Sequence, residues 1–169
     1  MYYKVLREDG SPFHGGTGKW NLPDGNTPGK WMPHIDKLVP CSSGYHLCRE
    51  QDLVEWLGPA IFEAEYRGEI VDCDNKIVVS EARLIRRLDA WNERTARLFA
   101  CDCAERVAHL NDDPRVQNTI DVARRYANGE ASDKELGAAW AAARAAASAA
   151  AWAAESEWQT EQLMKLLGG

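Results

Sequence analysis

The chain has 169 residues, 45% of them hydrophobic and 27% charged, and a formal net charge of −6. That length can bury a core without disulfides or metal, the composition excludes a disordered chain, and the acidic balance argues against a nucleic-acid backbone as main partner, which would need a basic face. No run of about 18 strongly apolar residues offers a membrane span. The charged start MYYKVLREDG lacks a secretory leader pattern and the five cysteines follow no regular framework, so a cytoplasmic setting with reduced thiols is expected.

Residues 2–7, Tyr-Tyr-Lys-Val-Leu-Arg, predict a first strand closed by the turn Glu8-Asp9-Gly10. Residues 10–34 are rich in Gly, Pro and Trp, too broken for a helix and too aromatic for a solvated linker. Ordered loops of that length are usually functional or tightly packed. Two Gly-Lys-Trp triplets, Gly18-Lys19-Trp20 and Gly29-Lys30-Trp31, lie in it, and their Trp residues are expected to fold over the sheet as a lid. Residues 37–41 and 45–48 are short apolar stretches around the turn Ser42-Ser43-Gly44, and 50–57 predict a short helix stopped by Gly58-Pro59. Residues 60–69 alternate, with Ala60, Phe62, Ala64 and Tyr66 on one parity and Ile61, Glu63, Glu65 and Arg67 on the other; residues 76–88 alternate too. The first half, 1–88, is thus expected to be an α+β module: a small, mostly antiparallel sheet of about five strands with one short helix.

The pattern changes near Asp89. Ala96, Phe99, Ala100, Cys103, Val107 and Leu110 recur at helical spacing, and a second helix is expected from the N-cap Asp113 and Pro114, with Val116, Ile120, Ala123 and Ala127 as its stripe and Gly129 as its stop. Ser132-Asp133-Lys134-Glu135 reads as a capping box for a third helix. That helix is long, Ala-rich and expected to run to about Leu167, with Trp140 and Trp158 on one face. Residues 89–169 are therefore expected to be three helices packed on the first module, with homo-oligomer formation possible through them.

Four groups of residues bear chemistry. Phe13-His14-Gly15-Gly16-Thr17-Gly18 joins an imidazole to a run of backbone N–H groups and could hold an anionic or nucleotide group; Trp20 and Trp31 lie near it in sequence. With Tyr45, His46 and Glu65, His14 completes a candidate catalytic set. Cys41, His46, Cys48 and Cys73 are possible zinc ligands, but the spacing is not that of a zinc knuckle. A small core Cys48 and a hydrogen-bonded His46 are the simpler account, so no metal is expected. Asp102, Glu105, Arg106 and His109 fall on one side of the first helix, as a surface for a partner or as ordinary helix ion pairs.

Tyr3-Lys4-Val5-Leu6, His14-Gly15-Gly16-Thr17, Ser43-Gly44-Tyr45-His46-Leu47-Cys48, Glu63-Ala64-Glu65-Tyr66-Arg67-Gly68-Glu69 and Asp74-Asn75-Lys76-Ile77-Val78 together resemble a phage and bacterial domain family without an assigned activity. Arg97-Leu98-Phe99-Ala100-Cys101-Asp102-Cys103-Ala104-Glu105-Arg106-Val107, Asp113-Pro114-Arg115, Ile120-Asp121-Val122-Ala123-Arg124 and Ala127-Asn128-Gly129-Glu130-Ala131 resemble the helical immunity-protein family of polymorphic-toxin systems. This second resemblance implies a protein that binds and neutralises a toxin or defence component, without catalysis and without a cofactor. The order of Gly44-Tyr45-His46, a short helix and residues 61–66 is also similar to the middle of ADP-ribosyltransferase-type and RNA 2′-phosphotransferase folds. That similarity implies an NAD- or nucleotide-handling enzyme using His14, Tyr45 and Glu65. A third reading is a nucleotide sponge that binds without turnover.

Overall fold

The computed structural model describes residues 1–110, 114–137 and 149–168. It comprises two compact units, Met1–Asp89 and Ala90–Gly169. The fold class is α+β, and no helix among the described residues is long and apolar enough to cross a membrane.

In the first unit, β1 (Tyr2–Leu6), β2 (Tyr45–Arg49), β3 (Ala60–Cys73) and β4 (Lys76–Arg87) close into a four-stranded barrel in the order β1-β2-β4-β3, every pair antiparallel. Leu6, Leu47, Phe62, Ala64, Ile77 and Leu84 bring all four strands into one buried cluster, which Trp20 joins. The parity expected for β3 holds, since Ala60, Phe62 and Ala64 are buried and Tyr66 packs against them. On β1 the residues of this cluster are Tyr2 and Leu6. Strand alternation therefore brings Lys4, midway between them, to the same apolar side.

The expected fifth strand is absent from this unit. Residues 37–41 contribute only an isolated bridge, Val39↔Ser43, because Val39 and Ser43 exchange backbone hydrogen bonds and close a tight loop. The predicted helix is a 3-10 helix over Glu50–Trp56. Strand β3 runs to Cys73, past the expected end at 69, because a register shift between Arg67 and Ile70 lets it continue. The buried Ser80 supports this shift: its Oγ accepts from Glu69 N at 2.8 Å and donates to Arg67 O at 3.3 Å. Part of the 10–34 loop and the residues after it lie along β4 as a strap. Gly29, Met32 and Ile35 donate their N–H groups to the carbonyls of Leu84, Ala82 and Ser80.

Arg49 ties the 3-10 helix to the β3–β4 turn. Its Nε donates to Asp52 Oδ2 at 2.7 Å, its Nη1 to Asp72, and its Nη2 to the carbonyls of Cys73 at 2.5 Å and Asp74 at 3.2 Å. Asp52 is only 5% exposed. Removing its partner leaves a buried carboxylate uncompensated, so Arg49→Met is expected to cost about 3 kcal/mol. Asp72→Ala removes only an exposed partner and is expected to cost under about 1 kcal/mol. Urea denaturation of both variants checks the contrast.

The second unit contains α1 (Glu93–Ala108), α2 (Pro114–Ala127) and α3 (Ala149–Leu166), with helical residues also at 133–137. Asn92 caps α1 by accepting from Thr95 N at 3.2 Å, and Thr95 Oγ1 accepts from Asn92 N at 2.9 Å. The expected capping box at 132–135 forms: Glu135 Oε2 accepts from Ser132 N at 2.8 Å, and Glu135 N donates to Ser132 Oγ at 3.4 Å. The expected N-cap Asp113, and Trp140 with most of the Ala-rich stretch, lie outside the described residues. Along α3 and the residue just after it, Glu155, Gln159, Leu163 and Leu167 are buried at spacings of four, one helix face.

The stripe expected on α1 is corrected. Ala100 and Leu110 are exposed, and Cys101 is more deeply buried than Cys103. Among the described residues, helix α1 has two helical neighbours. Cys101 packs with Val116 and Ile120 of α2, while Arg106 reaches Glu155 and the Trp158 ring of α3. A helix held from two sides shows no single 3.6-residue stripe.

Candidate functional site

A cleft of about 930 Å³ opens in the first unit, bounded by the Gly-rich loop, the strap, the 41–46 turn, Trp56 and the start of β4. Its basic lining residues are Lys4, His14, Lys19, His46 and Lys76, and no Asp or Glu is among the lining residues.

Lys4 reaches the cleft from the apolar side of β1. Its Nζ donates to His46 O at 3.0 Å and lies 5.0 Å from the Trp20 ring centroid. Burial pushes its amine down from 10.5 to about 8, and the nearby Lys76 charge pushes the same way. Lys76 Nζ lies 4.7 Å from the Trp56 ring centroid and 3.4 Å from Cys41 Sγ.

His46 is a pin for the turn. Its Nε2 accepts from Cys41 N at 3.0 Å, and a second hydrogen bond joins the ring to the Gly44 backbone. These bonds assign the proton to Nδ1. Burial, then Lys4 and Lys76, lower its pKa and keep it neutral. His14 Nε2 donates to Trp56 O at 2.6 Å, and its ring meets the Phe13 and Trp56 rings edge to face. Tyr45 Oη donates to Pro33 O at 2.7 Å, tying β2 to the strap, and its ring meets the edge of Trp20.

The Gly-rich loop between His14 and Lys19 forms another part of the cleft lining. Gly15, Gly16 and Gly18 have φ of 85°, 95° and 93°. A Cβ at Gly15 or Gly18 would meet nothing within 4 Å, so the loop is open around them. Among the described residues no backbone acceptor takes an N–H from His14 to Lys19. Successive free amides of this kind make a concavity suited to anions.

The cleft thus gathers His14, Gly15, Gly16, Thr17, Trp20, Tyr45 and His46. Two expected members lie elsewhere. Glu65 faces Arg83 across the β3–β4 pair and forms an ion pair with it, and Glu63 does the same with Arg86. Trp31 lies against the guanidinium groups of Arg67 and Arg83, at 4.3 and 4.8 Å. The two Trp residues therefore form no joint lid: Trp20 is core, and Trp31 packs against Arg67 and Arg83. Among the described residues Cys41, His46, Cys48 and Cys73 form no group of three or more metal ligands. On α1, Asp102 and Glu105 both accept from Arg124 of α2, at 2.9 and 2.8 Å, and Arg106 pairs with Glu155. Of that expected partner surface, Glu105, Arg106 and His109 stay exposed.

Lys4, Lys76 and Trp56 line the cleft too, and none of them is among the candidates that the sequence pattern offers. Lys4 left a signal, because it interrupts the apolar parity Tyr2, Leu6 of its strand. As assembled, the cleft suits holding an anion better than moving a proton. It lacks a carboxylate, and both ring nitrogens of His46 are engaged.

The Lys4 shift has a pH signature. Its folded pKa lies below its ordinary value, so the folded state binds fewer protons than the unfolded chain between about 8 and 10.5. The cost of its buried charge is fully present below about pH 8 and is relieved as pH rises towards 10.5. Stability is expected to rise across that window by an amount that Lys4→Met abolishes, read as the difference between the two proteins' urea midpoints at each pH. Comparison with family models, curated proteins and solved structures finds no match for this chain.

Proposed function

We propose that the first unit is a binding module for a small, multiply anionic ligand, such as a nucleotide, held without turnover. The observation that carries this is the charge of the cleft: in a chain of net charge −6, Lys4, Lys19 and Lys76 line one cavity that no carboxylate lines. Free loop amides supply a second kind of anion contact, and Trp56 and Phe13 offer aromatic surface at the rim. In the conflict setting that the resemblance of the second half to immunity proteins implies, keeping such a ligand out of solution is itself an activity.

The neutralising-partner reading finds less support, because Asp102, Glu105 and Arg106 are committed to ion pairs within the second unit. A transferase reading lacks its carboxylate, since Glu65 pairs with Arg83 away from the cleft lining.

Isothermal titration with inorganic phosphate, ADP and ATP at low salt tests the proposal. Affinity is expected to rise with phosphate number and to fall as salt is added. Flat heats for all three would count against an anion site, and hydrolysed ATP after incubation would count against binding without turnover.

A further inference from the structure

We propose that Lys4 captures an organic anion bearing an aldehyde or ketone, forming a reversible Schiff base in the cleft. The inference rests on the reading of the cleft as an anion site and adds a covalent role for one of its residues. Three features of the geometry carry it. Lys4 stands on the apolar side of β1 between Tyr2 and Leu6, with its Nζ over the Trp20 ring. No carboxylate lines the cleft, so its amine can lose a proton without breaking an ion pair. Lys76 and the open amides of the Gly-rich loop line the same cleft and can hold the anionic end of a ligand while the carbonyl reaches Lys4. A desolvated lysine beside a second cation is the arrangement that turns this side chain into a nucleophile.

The electrostatics agree. With its amine brought from 10.5 to about 8, Lys4 at neutral pH carries a neutral fraction about two orders of magnitude above that of an ordinary lysine. The groups facing it do not compete for the carbonyl. Cys48 is buried and its thiol is pushed up to about 12, Lys76 lies against Trp56, and His46 is engaged at both nitrogens.

The step balances without a redox partner. The Lys4 lone pair attacks the carbonyl carbon, and the carbonyl electrons move to oxygen, which takes a proton from water. Nitrogen loses one proton to give the carbinolamine. Protonation of that hydroxyl releases water, nitrogen loses its second proton, and the C=N bond remains. One carbonyl and one amine give one imine and one water.

The full-length chain incubated with pyridoxal 5′-phosphate and reduced with borohydride, then mapped by peptide mass spectrometry, tests the proposal. Borohydride adds hydride to the C=N bond and fixes the adduct as a secondary amine. Lys4 is expected to be labelled at least about tenfold faster than the exposed Lys19, Lys30, Lys37, Lys134 and Lys165. Pyridoxal without its phosphate is expected to label Lys4 more slowly, and inorganic phosphate to protect it. Lys4→Arg keeps the charge and removes the adduct; its circular dichroism shows whether the fold is kept. Phosphate binding by titration without preferential labelling of Lys4 would overturn the Schiff base and leave the anion site standing. Preferential labelling of Lys4 that phosphate does not slow would overturn the anion site and leave a reactive amine. Even labelling over all the lysines would overturn the covalent role.

Discussion

Reversing two of the three lysines that line the cleft, as Lys4→Glu with Lys76→Glu, is expected to weaken ADP binding at low salt by at least about a hundredfold. Each charge-assisted hydrogen bond to a phosphate contributes about 1.5–3 kcal/mol, so losing two already amounts to that factor. Repulsion by the new carboxylates adds to it. A glutamate at position 4 also places a carboxylate on the apolar side of β1, so the single variant Lys76→Glu separates binding from folding. Lys76 is only half-buried, and its reversal alone is expected to cost about tenfold in affinity. Lys37 is exposed and outside the cleft lining, and Lys37→Glu is expected to stay within about twofold, since distant surface charges are screened. Isothermal titration of the three proteins reads the series. Equal affinities for wild type and Lys76→Glu would remove the cleft as the anion site.

Gly44→Ala is expected to destabilise the first unit by about 3 kcal/mol, in two parts. Gly44 has φ of 120°, a conformation that an alanine adopts only under strain. Its added Cβ would also lie 2.4 Å from Val78 Cγ1 and 3.0 Å from Leu38 Cδ2. Val78 is fully buried and β-branched, so it has little freedom to turn aside. The position matters for the cleft because Gly44 leads into Tyr45 and His46. Gly15→Ala separates the two parts: its φ is also positive, but open space surrounds it, so strain alone applies and about 1 kcal/mol is expected. Urea denaturation followed by tryptophan fluorescence measures both. A cost for Gly44→Ala no larger than that for Gly15→Ala would show that Val78 and Leu38 make room.

The parts of the molecule legible in the sequence are those set by near neighbours. The alternation of Ala60, Phe62, Ala64 and Tyr66 reports which side of β3 meets the core, because strand side chains repeat every second residue. Ser132 and Glu135 announce a helix start because the cap is made within four residues. The positive φ of Gly15, Gly16 and Gly18 follows the glycines of that loop, which are legible one by one. What was hidden depends on distant pairing. A charged residue in a strand reads as solvent-facing until closure is known, and the closure of β1 on β2 and β3 joins residues more than 40 positions apart, so Lys4 went unremarked. Glu65 looked available for chemistry because nothing local reveals that the register sets Arg83 opposite it. For Asp102 and Glu105 the sequence leaves open a partner surface or ion pairs, and nothing local names Arg124, which arrives from another helix, as the pairing group.

The strap along β4 covers backbone groups on which another chain could otherwise pair. A strand with unpaired carbonyls is a template on which any extended chain can add, the route to fibrous assembly. Strand β2 covers β4 only over Ile77–Val79, which would leave Ser80, Ala82 and Leu84 offering their carbonyls. The strap occupies all three with N–H groups taken from every third residue. That spacing differs from the two-residue repeat of a strand, so the strap itself presents no regular ladder for a further strand to copy. The loop that walls the cleft on one side thus also caps the exposed end of the sheet, and sequence changes there carry a solubility cost independent of any ligand.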